Sequence, residues 1–150
     1  MRIGITPGCP CGIGLEVTAK ALGHLSLPGH IELYYGASAT LLEEGARRAK
    51  LQAQRQGNRV CMNGTWIACR ENTEEILADA IRPGQPDAHA LAIQRDGLTH
   101  VIAKAQKGHV GGIVTAPIRK AALTGMVGGP FPGQTELLHH HLARDEKPPL

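Results

Sequence analysis

Residues 88–117 read AHALAIQRDGLTHVIAKAQKGHVGGIVTAP, and the fold is decided there. Leu91, Leu98, Val101, Ile102 and Ala105 recur near the helical period. Gly108 supplies the residue type that most often closes a helix, so a helix is predicted over 88–107. Next comes the short apolar run 112–115, broken by Pro117; it is predicted to be a buried strand ending in a functional loop. A helix of this length leading into an apolar strand is the crossover of a βαβ unit, because parallel strands can be joined only by chain long enough to travel back over the sheet.

The same alternation appears upstream. RIGIT, from Arg2 to Thr6, reads as a strand closed by Pro7 and Gly8, and the loop GCPCGIG then leads into a helix with Val17, Ala21 and Leu22 expected on one face. The run 31–35 reads as a second strand ending at Gly36. Ser38 or Thr40 is the expected N-cap of LLEEGARRAKL, in which Leu41, Leu42, Ala46 and Ala49 share a face. RVCMN and WIACR are read as short strands, TEEILADAI as a helical turn capped at Asn72 or Thr73, and TELLHHHLAR as the start of a further helix. The expected fold class is α/β, a mostly parallel sheet flanked by helices, in a single region spanning 1–150.

Composition limits the functions this chain can carry. Apolar residues make up 42% and charged residues 19%, with 19 Gly and 10 Pro spread along the chain, as in a globular protein rich in turns. The formal charge of +3 involves no long basic run, and Arg47, Arg48 and Lys50 are its densest cluster. With only Trp66, Tyr34, Tyr35 and Phe131 as aromatics, a platform for stacking nucleic-acid bases is not expected. The first residues carry no export signal and there is no 18-residue apolar run, so no membrane partner and a cytoplasmic location are expected. The four cysteines are then expected to be reduced thiols.

Three segments hold residues suited to chemistry. The loop from Gly8 to Gly14 precedes a helix N-terminus, where free N–H groups favour anions. Its spacing fits neither nucleotide motif: Leu15 and Glu16 stand where a P-loop needs Lys and a hydroxyl, and Val17 where the dinucleotide fingerprint needs a small residue. Its bland reading is a tight packing turn. Thr115, Pro117 and Lys120 offer a hydroxyl, a rigid turn and a cation at a strand end, as an anionic substrate requires; a surface lysine is the bland alternative. Gly133, Gln134, Thr135 and Glu136 open a helix, either as a polar ligand-binding set or simply with Thr135 as N-cap. Cys9 and Cys11, with Cys61 and Cys69 distant, match no zinc module, and His139, His140 and His141 are consecutive and so point to different sides of a helix.

Taken together, ITPGCPCGIG (5–14), VTAPIRKAAL (114–123) and FPGQTELL (131–138) resemble, in order and spacing, the N-terminal half of the PdxA family of 4-hydroxythreonine-4-phosphate dehydrogenases. The resemblance implies an isocitrate-dehydrogenase-like α/β fold and a homodimer. The implied reaction, part of pyridoxal phosphate biosynthesis, is NAD-dependent oxidation of 4-phosphooxy-L-threonine to a β-keto acid that decarboxylates. Implied cofactors are NAD or NADP and a divalent metal such as zinc, magnesium or cobalt. Substrate contact is implied for Lys120, Gln134 and Thr135. Gln134 replaces the family's His, and a Gln amide can hydrogen-bond but cannot exchange a proton near neutral pH. Cys9 and Cys11 replace an acidic residue and an Ala. Family members are roughly twice this length, and their metal-binding histidines, further phosphate-binding residues and most NAD contacts follow the last motif. The chain alone is therefore expected to bind neither metal nor NAD and to be inactive. The alternatives are a non-catalytic remnant with at most a weak anion site at Lys120 and Thr135, or a paralogue acting on another 4-phosphorylated hydroxy acid.

Overall fold

The structure, a computed structural model, describes residues 1–71, 81–123 and 133–143. The expected helical turn TEEILADAI lies outside the described residues except for its last residue, Ile81, as do both of its expected caps, Asn72 and Thr73, and the chain after Ala143. Six strands form one sheet in the order β3-β4-β5-β2-β1-β6, with β1 at Arg2–Ile5, β2 at Glu32–Tyr35, β3 at Gln54–Gln56, β4 at Arg59–Met62, β5 at Thr65–Cys69 and β6 at Gly112–Val114. Among the described residues four α-helices accompany it: α1 at Gly14–His24, α2 at Ala39–Arg48, α3 at Ala88–Gln106 and α4 at Gln134–Leu142. The α/β class holds, with a mixed sheet. The β1 strand pairs in parallel with β2 and β6, and β2 in parallel with β5, whereas β3, β4 and β5 form an antiparallel meander.

The meander follows from its turns. Met62 pairs with Thr65 across Asn63 and Gly64, whose φ values of 48° and 76° are the two positive angles a two-residue hairpin turn demands. The Asn-Gly pair signals this in the sequence; strand β3, three exposed polar residues, carries no such signal and was not expected.

The main core lies between the sheet and α1 with α2. Leu15, Ala19 and Leu22 from α1, Leu41, Leu42 and Ala46 from α2, and Leu33, Tyr35, Val60 and Ile67 from the sheet are all buried there, with Ala49 packed against it. The expected face of α2 is the one observed, and Ser38 is its cap, its Oγ accepting from the Leu41 N–H at 3.3 Å. The face expected for α1 needs correction. Val17 is 44% exposed and the buried stripe is Leu15, Thr18, Ala19 and Leu22. Packing against α2 and the sheet turns the Leu15–Ala19–Leu22 row rather than Val17 inward.

A second, smaller core lies where α3 meets α4 and the 3-10 turn Lys120–Leu123. Leu98, Ile102, Leu123 and Leu137 are buried there, with Ile113 and Ile118 packed against them. Helix α3 is capped by Asp87, whose Oδ1 accepts from Ala90 N–H at 2.8 Å, and Gly108 follows its end with φ 72°. The β6 strand departs from the buried strand expected. It pairs only with β1 among the described residues, and Val114 is 54% exposed.

Candidate functional site

Strands β1 and β6 run parallel, so their carboxyl ends emerge side by side, the position where open α/β sheets place ligand loops. The two loops interlock. Thr6, fully buried, accepts from Ala116 N–H through its Oγ1 at 3.0 Å, and Cys9 N–H donates to the Pro117 carbonyl at 3.1 Å. Gly8 sits between them at φ 65°, and a Cβ there would stand 2.5 Å from the Pro117 oxygen. Only glycine meets both the angle and the space. Pro7 in turn lies against Gly97 of α3, at a point where no Cβ would fit.

The first loop is also held from α2. Arg48 donates from Nη1 to the Pro10 carbonyl at 2.8 Å and is oriented by Glu44, 2.7 Å from its Nε. Glu44 is 5% exposed, and the guanidinium groups of Arg47 and Arg48 hold its carboxyl below the usual carboxylate range despite burial. Cys9 and Cys11 are buried at 3% and 5% exposure and pack in the main core as free thiols. Burial pushes the Cys11 thiol up, so its side chain fills space while its carbonyl accepts from Gly84 N–H at 2.7 Å.

The second loop is clamped by α3. Gln94, fully buried, donates from Nε2 to the Arg119 carbonyl at 2.8 Å and accepts the Arg119 N–H on Oε1 at 3.0 Å. Sequence reasoning missed this residue, although a signal exists. Gln94 interrupts the stripe Ala90, Gln94, Leu98, Val101 on the buried side of α3, and a buried amide needs partners.

Helix α4 brings the third motif to the same place. Leu137 is fully buried against Leu98 and Leu123, and Gln134, three residues earlier, shares its face. Gln134 therefore points inward, donating from Nε2 to the Ala116 carbonyl at 3.4 Å. Its Oε1 is buried without a hydrogen-bond partner among the described residues. The N-cap is Gly133, not Thr135. No side chain caps α4, and Thr135 lies exposed in its first turn beside Glu136. Lys120 is exposed at the start of the 3-10 turn, and no hydrogen bond or ion pair ties it to α4 among the described residues. The structure thus joins Gln134 directly to the second loop and sets Lys120 four residues beyond that contact.

No three His, Cys, Asp or Glu side chains among the described residues are grouped so as to hold a metal ion. The rings of His140 and His141 meet edge to face at 5.0 Å, and His141 uses its carbonyl to accept from Gln106. These residues do not fit a metal centre by themselves. Among the described residues, no helix is long and apolar enough to cross a membrane.

Fold and loops together define an α/β protein whose motif-bearing loops gather at the carboxyl ends of adjacent parallel strands. The chain belongs to the PdxA family: the profile described as "Pyridoxal phosphate biosynthetic protein PdxA" matches residues 30–148. The 4-hydroxythreonine-4-phosphate dehydrogenase of Thermosynechococcus vestitus is 35% identical over 140 residues, covering 93% of this chain and 38% of that protein. The D-threonate 4-phosphate dehydrogenase of Bordetella bronchiseptica is 33% identical, covering 92% of this chain and 40% of its own length. Among solved structures, a 4-hydroxythreonine-4-phosphate dehydrogenase from Burkholderia phymatum superposes with a TM-score of 0.72 at 30% identity, over 97% of this chain and 44% of that one. The chain thus spans about two fifths of the length of these relatives.

Proposed function

We propose that this chain forms the substrate-side loops of a dehydrogenase that oxidises a 4-phosphorylated hydroxy acid, with 4-phosphooxy-L-threonine as substrate. The observation that carries this reading is the contact of Gln134 with Ala116, which joins two polar motifs over the ends of β1 and β6. The uncapped first turn of α4 presents backbone N–H groups, Thr135 adds a hydroxyl and Lys120 a cation, a set that suits a phosphorylated anion. The unpartnered Oε1 of Gln134 is an acceptor for a substrate hydroxyl or amine. Gln134 orients substrate and moves no proton.

Hydride acceptor and metal belong, in this proposal, to the part of the family's length that this chain does not span. The chain alone is then without turnover; the whole protein works in the cytoplasm in pyridoxal phosphate biosynthesis, as a homodimer. A second reading is favoured by one observation: a relative named for D-threonate 4-phosphate matches at 33% identity, which makes another 4-phosphorylated hydroxy acid the alternative substrate.

The test is a chimera in which this chain replaces the corresponding segment of the Thermosynechococcus vestitus relative, assayed for NADH formation with either substrate. Turnover is expected with 4-phosphooxy-L-threonine, and Gln134→His should raise it. A folded chimera that binds neither substrate overturns the proposal, and preference for D-threonate 4-phosphate selects the second reading. Turnover by the 150-residue chain alone overturns the division of labour.

A further inference from the structure

The α3 side of the sheet carries a cluster of cations that the loop site does not use. Tyr34 projects from β2 toward α3, its hydroxyl 2.8 Å from Nε2 of His100 and its ring stacked on the imidazole with centroids 5.8 Å apart. Lys104, one turn beyond His100, places its ammonium 5.4 Å from the centre of the Tyr34 ring. Arg70, just past β5, reaches the same helix and donates from Nη1 to the Asp96 carbonyl at 3.5 Å. Lys107 follows on the His100–Lys104 side of α3.

Two nearby carboxylates are paired, Asp96 with Arg95 at 3.3 Å and Glu32 with Arg2 at 2.7 Å; Glu71 accepts from the neutral Asn58 amide at 2.8 Å and keeps its charge near Tyr34, leaving three cations against one carboxylate. Among the described residues no ion pair satisfies Arg70, Lys104 or Lys107. Burial and these three cations hold His100 below its ordinary value and therefore neutral near pH 7. The group that completes such an arrangement carries two negative charges and several acceptor oxygens.

We propose that Tyr34, Arg70, His100 and Lys104 form a second anion site, for a phosphate dianion or phosphate ester, where the flank of α3 meets the sheet. Arg70 supplies a fork for two phosphate oxygens, Lys104 a point charge, and the Tyr34–His100 pair a switchable donor. The site stands apart from the loop site. Six residues separate His100 from Gln94, about 9 Å along the helix and roughly 120° around it, so the two face different neighbours. A neutral imidazole whose proton affinity rises when a dianion arrives makes occupancy readable at His100 itself.

The experiment is a proton–carbon NMR titration of the His100 ring in the 150-residue chain with inorganic phosphate, sodium chloride holding ionic strength constant. A saturable shift with a midpoint on the order of 1 mM is expected, with proton affinity at His100 rising about tenfold at saturation. Arg70→Gln and Lys104→Gln, both at solvent-reached positions, should each weaken binding about fivefold or more, while Arg55→Gln across the sheet should not. A phosphate response no larger than that of chloride, or unchanged binding in both variants, overturns the proposal. Saturation of the same resonance by a polyglutamate peptide at far lower concentration than phosphate also overturns it, in favour of an acidic protein partner.

Discussion

Replacing Gln94 by Leu tests whether a buried amide on α3 holds the second loop. The substitution keeps the volume close and removes both hydrogen bonds to Arg119, at 2.8 and 3.0 Å. Each such bond contributes about 1 kcal/mol net, and each partner left dry costs about 1–3 kcal/mol. Arg119 is itself exposed, so water reaches its backbone once the loop loosens, and the loss should settle at about 2 kcal/mol. Urea unfolding followed by the fluorescence of Trp66, the single tryptophan, measures it, and amide exchange at Arg119 localises it. Gln94→Glu sharpens the test. Its carboxylate would face the Arg119 carbonyl in a site with no solvent exposure, which raises its folded pKa. The variant should therefore match the wild type near pH 4 and lose stability as pH rises above the unfolded carboxylate value, about 4.3. If Gln94→Leu unfolds within about 0.5 kcal/mol of the wild type and Arg119 stays protected, the clamp does not exist as described.

Other substitutions probe the same architecture. Gly8→Ala forces a side chain into a left-handed angle and 2.5 Å from the Pro117 oxygen, and should cost about 2–4 kcal/mol in thermal or urea unfolding. Glu44→Gln leaves Arg48 poorly matched beside Pro10 and should cost about 1–3 kcal/mol at pH 7. Because the folded pKa of Glu44 lies below its ordinary 4.5, its contribution is present above that value and is lost as pH falls through the lowered one; the wild type should lose its advantage over the variant in acid. Thiol titration of the native chain should modify Cys61 first, the one cysteine that is only half-buried. Cys69, 1% exposed and pushed up to about 12 by burial, should react only on unfolding, together with Cys9 and Cys11.

How much of this was legible depends on how local the cause is. The extent of α3, the face of α2 and the cap at Ser38 follow from contacts within a few residues, and they stand as read. Val17 was assigned to the wrong face because several rows of a short helix with scattered apolar residues can be drawn as stripes. Packing against α2, where the Leu15 carbonyl lies 2.6 Å from the point a Cβ on Gly45 would occupy, selected the row. Thr135 reads as a cap in any window of sequence, yet burial of Leu137 fixes the rotation of α4 so that Gln134 turns inward and Gly133 takes the cap.

The sequence by itself determined the α/β class, the family and the three motifs of the candidate site, since periodicity, turn residues and motif order are written along the chain. The tertiary structure alone decided that Gln134 meets Ala116, that Arg48 reaches Pro10 from 38 residues away, and that Tyr34 of β2 meets His100 of α3. Those contacts depend on strand order and helix rotation, which burial of the whole core sets at once and which no local stretch of residues encodes.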